Sequence, residues 1–113
     1  MPIDKKYPIG YNVNVYIIRE TENFKKWIRG LKDKIAQSII TARIRRVSAG
    51  NFGDVKPVGE GISELRIDYG SGFRVYFTQR GKEIVILLCG GDKSTQTKDI
   101  ETAKRLSKSI KEE

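Results

Sequence analysis

Arg66 and Arg74 fall on two consecutive segments of alternating apolar and polar residues, Glu64-Leu-Arg-Ile-Asp-Tyr and Phe73-Arg-Val-Tyr-Phe-Thr, and Lys93 follows a third segment ending Leu87-Leu-Cys-Gly-Gly-Asp-Lys. Lys56 precedes them, two residues after Asp54 in what reads as a loop. Fixed cations gathered on one side of a small sheet suit phosphoryl chemistry, because negative charge builds on the nonbridging and leaving oxygens of a phosphodiester as it breaks. Arginine adds a planar, bidentate donor that does not lose its proton. In RNA the 2′-hydroxyl is a built-in nucleophile, so a protein that orients the chain and supports this charge can cleave it without a metal or cofactor. The chain has no histidine, which removes the commonest general acid and base. Proton transfer would then fall to Lys, Tyr, Asp or water, and Tyr69 and Tyr76 are candidates for stacking on bases. A plainer reading stands beside this one: Arg74 and Asp68 form an ordinary cross-strand ion pair, Arg66 pairs with Glu64 or Asp68, and Lys93 is merely solvated.

The elements that carry these residues read as follows. In the first alternating segment Leu65, Ile67 and Tyr69 face one way and Glu64, Arg66 and Asp68 the other; in the second Phe73, Val75 and Phe77 face inward, leaving Arg74, Tyr76 and Thr78 outward. Taking Gly70-Ser-Gly as a three-residue turn pairs Leu65 with Phe77, Ile67 with Val75 and Tyr69 with Phe73. Arg66 then lies opposite Tyr76 and diagonal to Arg74. The segment from Glu83 to Cys89 is almost wholly apolar, as expected of a strand covered on both faces. The Gly-Gly-Asp that follows returns Lys93 to the rim of the arginine pair, while Lys56 approaches from the other side.

Before the hairpin, Val13, Val15 and Ile17 alternate with polar neighbours and predict a first strand through about Arg19. Thr21 caps a first helix with Phe24, Trp27, Ile28 and Leu31 on its apolar stripe, and Asp33 caps a second from about Lys34 to Ala49. The spacing puts Ile35, Ile39 and Ala42 on the buried side of the second helix. Arg43, Arg45 and Arg46 in its last turns complement the helix dipole, and Arg43 and Arg46 are also candidate contacts to an RNA backbone. A last helix starting between Ser94 and Lys98 buries Ile100, Ala103, Leu106 and Ile110. The predicted class is α+β: one small domain in the order β-α-α-β-β-β-α, a mainly antiparallel twisted sheet packed with helices over residues 13–113. Residues 1–12 hold two of the three prolines and no clear period, which predicts a flexible N-terminal arm.

A chain of 113 residues has room for one core. Its net charge of +8 is concentrated in residues 21–50, with eight Lys/Arg against two acids, a basic surface suited to a polyanion or an acidic protein. No apolar run is long enough to cross a bilayer, the N-terminus does not resemble a signal peptide, and the single cysteine, Cys89, reads as a buried thiol. These features predict a cytoplasmic protein.

The stretch from about Phe24 to Ile100, and above all Asn51-Phe-Gly-Asp-Val-Lys-Pro-Val-Gly-Glu-Gly-Ile-Ser-Glu-Leu-Arg-Ile-Asp-Tyr-Gly-Ser-Gly-Phe-Arg-Val-Tyr-Phe with Leu87-Leu-Cys-Gly-Gly-Asp-Lys-Ser-Thr-Gln, resembles the RelE/HigB superfamily of toxin components, in particular phage-derived, HigB-like addiction-module killer proteins. The resemblance implies a small sheet flanked by helices. It also implies a toxin that blocks translation by cutting messenger RNA, usually on the ribosome, and is neutralised by a cognate antitoxin. Carried over by motif, it gives Lys56 to backbone phosphate positioning and Arg66 and Arg74 to transition-state charge. Many relatives place a histidine or tyrosine pair after the last strand where this chain has Asp92-Lys93-Ser94, which makes Lys93 the candidate general acid or base. Two other readings remain compatible: a non-enzymatic inhibitor of DNA gyrase like the ParE branch, and a nucleic-acid-binding module that acts only with its antitoxin.

Overall fold

The computed structural model describes residues 15–110; the predicted arm at 1–12 and the start of the predicted first strand lie outside them. The elements in chain order are strand β1 (Ile17–Glu20), helices α1 (Glu22–Gly30) and α2 (Lys34–Ser48), strands β2 (Val55–Gly59), β3 (Ile62–Arg66), β4 (Arg74–Arg80) and β5 (Ile84–Gly91), a short 3-10 turn (Lys93–Thr95) and helix α3 (Gln96–Ser109). The α+β class holds. The sheet has one strand more than the sequence pattern predicts, because the segment read as a loop around Lys56 is the edge strand β2. Its Pro57 hides the strand from pattern reading, yet proline is tolerated at an edge, where no ladder donor is missed.

The strands are ordered β1-β5-β4-β3-β2, with β1 parallel to β5 and every other pair antiparallel. The β2–β3 hairpin turns through Glu60 and Gly61, at φ of 55° and 77°, the two-residue turn whose twist matches the strands. The β3–β4 register differs from expectation by two residues: Leu65 pairs with Val75 and Arg66 with Arg74. The connection is longer than a Gly-Ser-Gly turn, and Ile67 N–H still donates to Phe73 O at 2.9 Å within it. An even slip keeps each side chain on its predicted face and changes only its cross-strand neighbour.

Both faces of the sheet are covered. On one, Leu65, Ile67, Val75, Phe77, Val85 and Leu87 form a core with Phe24 of α1 and Ile40 and Val47 of α2. On the other, Ile62, Tyr76, Ile86, Leu88 and Cys89 pack with Ala103 of α3, and Ile100, Leu106 and Ile110 close the edge. A bulge in the β4–β5 ladder, where Tyr76 pairs with Cys89 but Phe77 with Leu87, lets the consecutive Leu88 and Cys89 both join the α3 side.

The helix starts are set by the predicted caps. Thr21 Oγ accepts the Phe24 N–H at 3.0 Å and donates to Leu88 O at 2.6 Å, which pins α1 to β5. Asp33 accepts the N–H groups of Ile35 and Ala36, each at 3.1 Å. The buried stripe of α2 is rotated from the predicted one: Ala36, Ile40 and Val47 are buried, Ile39 and Ala42 are only partly so, and Ile35 is 63% exposed.

Cys89 is buried, as its apolar neighbours predict, with its thiol donating to Asp99 O at 3.5 Å. Burial, helped by the nearby Asp99 charge, pushes the thiol up to about 12 from the ordinary 9.0. An acid whose folded pKa is raised contributes stability that is intact below its unfolded value and lost as pH climbs toward the folded one. Denaturation measured from pH 8 to 11 should therefore show stability falling more steeply above pH 9 in the wild type than in Cys89→Ala. Parallel curves would show that the thiol does not titrate in this way.

Candidate functional site

Arg66 ends β3 and Arg74 begins β4, so the ladder places them directly opposite one another, with Arg74 in turn opposite Gly91 of β5. Directly paired residues project from the same face, and for this pair it is the face that α3 covers. The N-terminus of α3 closes over one end of it. Lys93 reaches the same corner: its N–H donates to Ser71 O at 3.4 Å, tying the turn after β5 to the β3–β4 connection. A Cβ built on Gly72 would sit 3.3 Å from Arg74 Nη1 and 3.6 and 3.7 Å from Lys93 Cβ and Cδ. The arginine and the lysine thus flank one glycine, which at a φ of 77° leaves room for both.

Asp92 builds the turn that carries Lys93. Its carboxylate accepts Ser94 N–H at 2.9 Å and Ser94 Oγ at 2.6 Å, and Asp92 and Thr95 form a reciprocal capping box. The Ser94 hydroxyl, first among several hydrogen bonds, holds the Asp92 carboxyl below the ordinary carboxylate range. Just before Asp92, the Asp99 carboxylate and Thr95 Oγ crowd Gly91, where no side chain would fit.

The two arginines differ in setting. Arg66, with a side chain 38% exposed, reaches Asp54 Oδ1 through Nη2 at 3.0 Å and Nε at 3.3 Å. Arg74, with a side chain 12% exposed, lies with Nε 3.2 Å from Glu64 Oε2 and donates through Nη1 to Gly72 O at 2.8 Å. The Asp68 partner expected for Arg74 is replaced by Glu64, and the Glu64 or Asp68 partner expected for Arg66 by Asp54. Lys56 is exposed on β2 opposite Glu64, hence on the arginine face but one strand further out.

Four of the other expected contacts are placed elsewhere. Tyr76 is fully buried under α3, with its hydroxyl donating to Glu64 Oε2 at 3.0 Å, so it is not an exposed stacking platform. Burial, and then the Glu64 carboxylate, push its pKa far up. Arg43 points from α2 into the chain: it donates to Arg66 O at 2.6 Å, Phe52 O at 2.9 Å and Asp54 O at 3.3 Å. It is a brace behind Arg66 rather than a phosphate contact, and burial lowers its pKa. Arg46 is exposed on α2, the helix that packs on the opposite face of the sheet, and does not join the cluster. Tyr69 packs on that same far side with its hydroxyl 3.4 Å from Asp33 Oδ1, and its pKa is raised.

Glu64 is the residue that pattern reading left among the solvent-facing positions. It is wholly buried, and besides Tyr76 it accepts Gln96 Nε2, the first residue of α3, at 2.7 Å. The available signal was the apolar stripe of the last helix, which needs a sheet face to cover. Among the described residues no group of three or more Cys, Asp or Glu side chains is arranged to hold a metal ion, and no helix is long and apolar enough to cross a membrane.

Two solved structures share this architecture. One is the free Escherichia coli toxin RelE in a doubly substituted form, at a TM-score of 0.64 and 18% identity, covering 80% of this chain and 97% of that one. The other, the toxin-antitoxin complex RelBE2 of Mycobacterium tuberculosis, gives 0.55 and 18%, covering 72% of this chain and 100% of that one. At such identity the likeness defines the fold as RelE-type, in agreement with the sequence resemblance. An uncharacterized protein of Haemophilus influenzae is 53% identical over 93 residues, which are 82% of this chain and 94% of that protein. The Gp49-like family of phage-derived proteins matches residues 26–108, and the chain belongs to that family.

Proposed function

We propose that this chain is the toxin of a type II toxin-antitoxin module, a metal-independent endoribonuclease that cuts messenger RNA at the ribosome and is held inactive by a cognate antitoxin. The observation that carries the proposal is the facing pair Arg66 and Arg74, with Lys93 beside Arg74 across Gly72. The RelE-type fold supports it.

In the proposed reaction the 2′-oxygen of a nucleotide attacks the adjacent phosphorus, the 5′-oxygen leaves, and a 2′,3′-cyclic phosphate forms. Lys56 positions the backbone. Arg66 and Arg74 hold the nonbridging oxygens as their charge grows, and the exposed Lys93 moves a proton at the 2′- or 5′-oxygen. An antitoxin carrying an acidic segment suits the same cations, and the cytoplasm is where such a partner and the ribosome are met.

The test is primer extension on a reporter messenger RNA in a cell-free translation reaction with wild-type protein and with Arg66→Ala. Arg66 is the cleaner site for substitution because its ion pair with Asp54 is surface-exposed. New 5′ ends that need the wild-type chain and fall on the order of 10²- to 10³-fold with the variant are expected, the usual effect of removing one transition-state donor. Ends that persist at full strength would move the site elsewhere. One observation favours the gyrase-inhibitor reading: both arginines already have carboxylate partners, Asp54 and Glu64, which an RNA phosphate must compete with. Blocked growth without any RNA cleavage would decide for it.

A further inference from the structure

Glu64 is the most unusual polar group of the described residues. Its side chain has no exposed surface, and its Oε2 is shared by the Tyr76 hydroxyl at 3.0 Å, the Gln96 amide at 2.7 Å and Arg74 Nε at 3.2 Å. Glu64 Oε1 and Arg74 Nε are nevertheless the buried side-chain polar atoms that make no hydrogen bond. The Glu64 and Arg74 contact therefore has the distance of an ion pair without the alignment of a hydrogen bond. Buried polar atoms left in that state are destabilising, more so when charged, and in a native fold they call for a reason.

The surroundings supply one. Tyr76 comes from β4 and Gln96 from the start of α3, so Glu64 is fixed from two elements while it addresses a third group, Arg74. Arg74 is also tethered through Nη1 to Gly72 beside Lys93, and Nη2 has no partner among the described residues. Two of the three guanidinium nitrogens face groups of the protein, Nε toward Glu64 and Nη1 toward Gly72 O.

Resting on the nuclease reading, we propose that Glu64, braced by Tyr76 and Gln96, is a positioning residue that orients Arg74 toward the scissile phosphate. The imperfect contact closes into a hydrogen bond when a phosphate oxygen seats on Nη2, since active-site hydrogen bonds are often misaligned until substrate is bound. Glu64 places a negative charge close to a phosphate site, so it opposes ground-state binding of RNA while serving the transition state. This combination distinguishes positioning from a purely structural role. Removing the charge should weaken the rate and spare or tighten the binding.

The experiment measures messenger RNA cleavage in the cell-free translation reaction over a protein titration, for wild type, Glu64→Gln and Tyr76→Phe. Arg66→Ala serves as the control on the nuclease reading. For Glu64→Gln the rate at saturating protein should fall on the order of 10- to 100-fold, the scale of a misplaced catalytic group, with the half-saturating concentration unchanged or lower. Tyr76→Phe, which removes one brace and keeps the charge pair, should show the same split at smaller amplitude, and serves alone if Glu64→Gln does not fold. An unchanged saturating rate, or a loss in half-saturation alone, overturns the proposal.

A second arm reads the Arg74 side chain directly, as the 15Nε–H signal and its exchange with water, with and without an RNA blocked at its 2′-hydroxyls. In the wild type that signal should shift and become protected on RNA binding, and in Glu64→Gln it should not. Identical behaviour of the two proteins overturns the proposal. If the wild-type chain cuts no RNA the nuclease reading falls by itself, and this second arm still decides whether Glu64 orients Arg74.

Discussion

Arg74→Ala should lower the unfolding free energy by about 3–5 kcal/mol, the scale of leaving one member of a buried ion pair without its partner, whereas Arg66→Ala should lower it by at most about 1 kcal/mol. The two residues face each other across one hairpin and their sequence contexts are alike, so the difference comes wholly from their partners. Arg74 neutralises a Glu64 carboxylate that has no exposed surface; Arg66 meets an Asp54 side chain that is 58% exposed. Truncating Arg74 strands a charge in a place water does not reach. Urea denaturation of both variants checks the contrast, and the pair Glu64→Gln/Arg74→Ala should regain a large part of the stability because it removes the stranded charge as well. Equal small losses for both single variants would show that α3 lets water in to Glu64. The contrast also governs how any loss of activity in Arg74→Ala is interpreted, since part of it will reflect unfolding.

Gly90→Ala should destabilise the fold by about 1–3 kcal/mol, the usual penalty of overpacking. The glycine's backbone needs no special φ; the constraint is space. A Cβ at Gly90 would overlap the six-membered ring of Trp27, which packs between α1 and the end of β5 and lies with its ring centroid 5.8 Å from that of Phe24 and 6.4 Å from that of Phe73. If the ring is the obstacle, shrinking it should relieve the clash. Thermal unfolding of Gly90→Ala, Trp27→Leu and the double variant should give a double loss smaller than the summed single losses by about 0.5–3 kcal/mol. Strict additivity would mean that the Gly90 backbone, rather than Trp27, sets the limit.

Much of this architecture was legible before any coordinates. Thr21 and Asp33 are short acceptor side chains placed just ahead of amphipathic runs, and such caps act locally, so both helix starts follow from sequence. Glu83 to Cys89 reads as a doubly covered strand because a continuous apolar run needs cover on both faces, and the structure supplies α1 and α2 on one and α3 on the other. The face of each hairpin residue was also legible, since alternation has a period of two and survives an even slip of register.

What escaped were properties set by distant parts of the chain. The length of the β3–β4 connection decides whether Arg66 faces Tyr76 or Arg74, and the packed arrangement of Tyr69 and Phe73 against the core selects the longer one. Glu64 and Tyr76 occupy positions that look solvated until α3, more than thirty residues later for Glu64, is laid over them. Arg43 reads as a surface cation because its three acceptors are backbone carbonyls, which carry no sequence signature. Ile35, apolar and at the expected spacing, is nevertheless left outside.

The parallel pairing of β1 with β5, in which Ile17 aligns with Ile84 and Glu20 with Leu87, bears on when this protein becomes competent during its own synthesis. The earliest described strand has no ladder partner until β5, the last strand, has been made, and the corner holding Arg74 is not finished until Lys93 and Gln96 follow. Contacts between such distant points of the chain form late and slowly. The Arg74 corner is therefore assembled only once the chain through Gln96 has been made, and until then the facing arginines exist without the groups that hold Arg74 and carry Lys93.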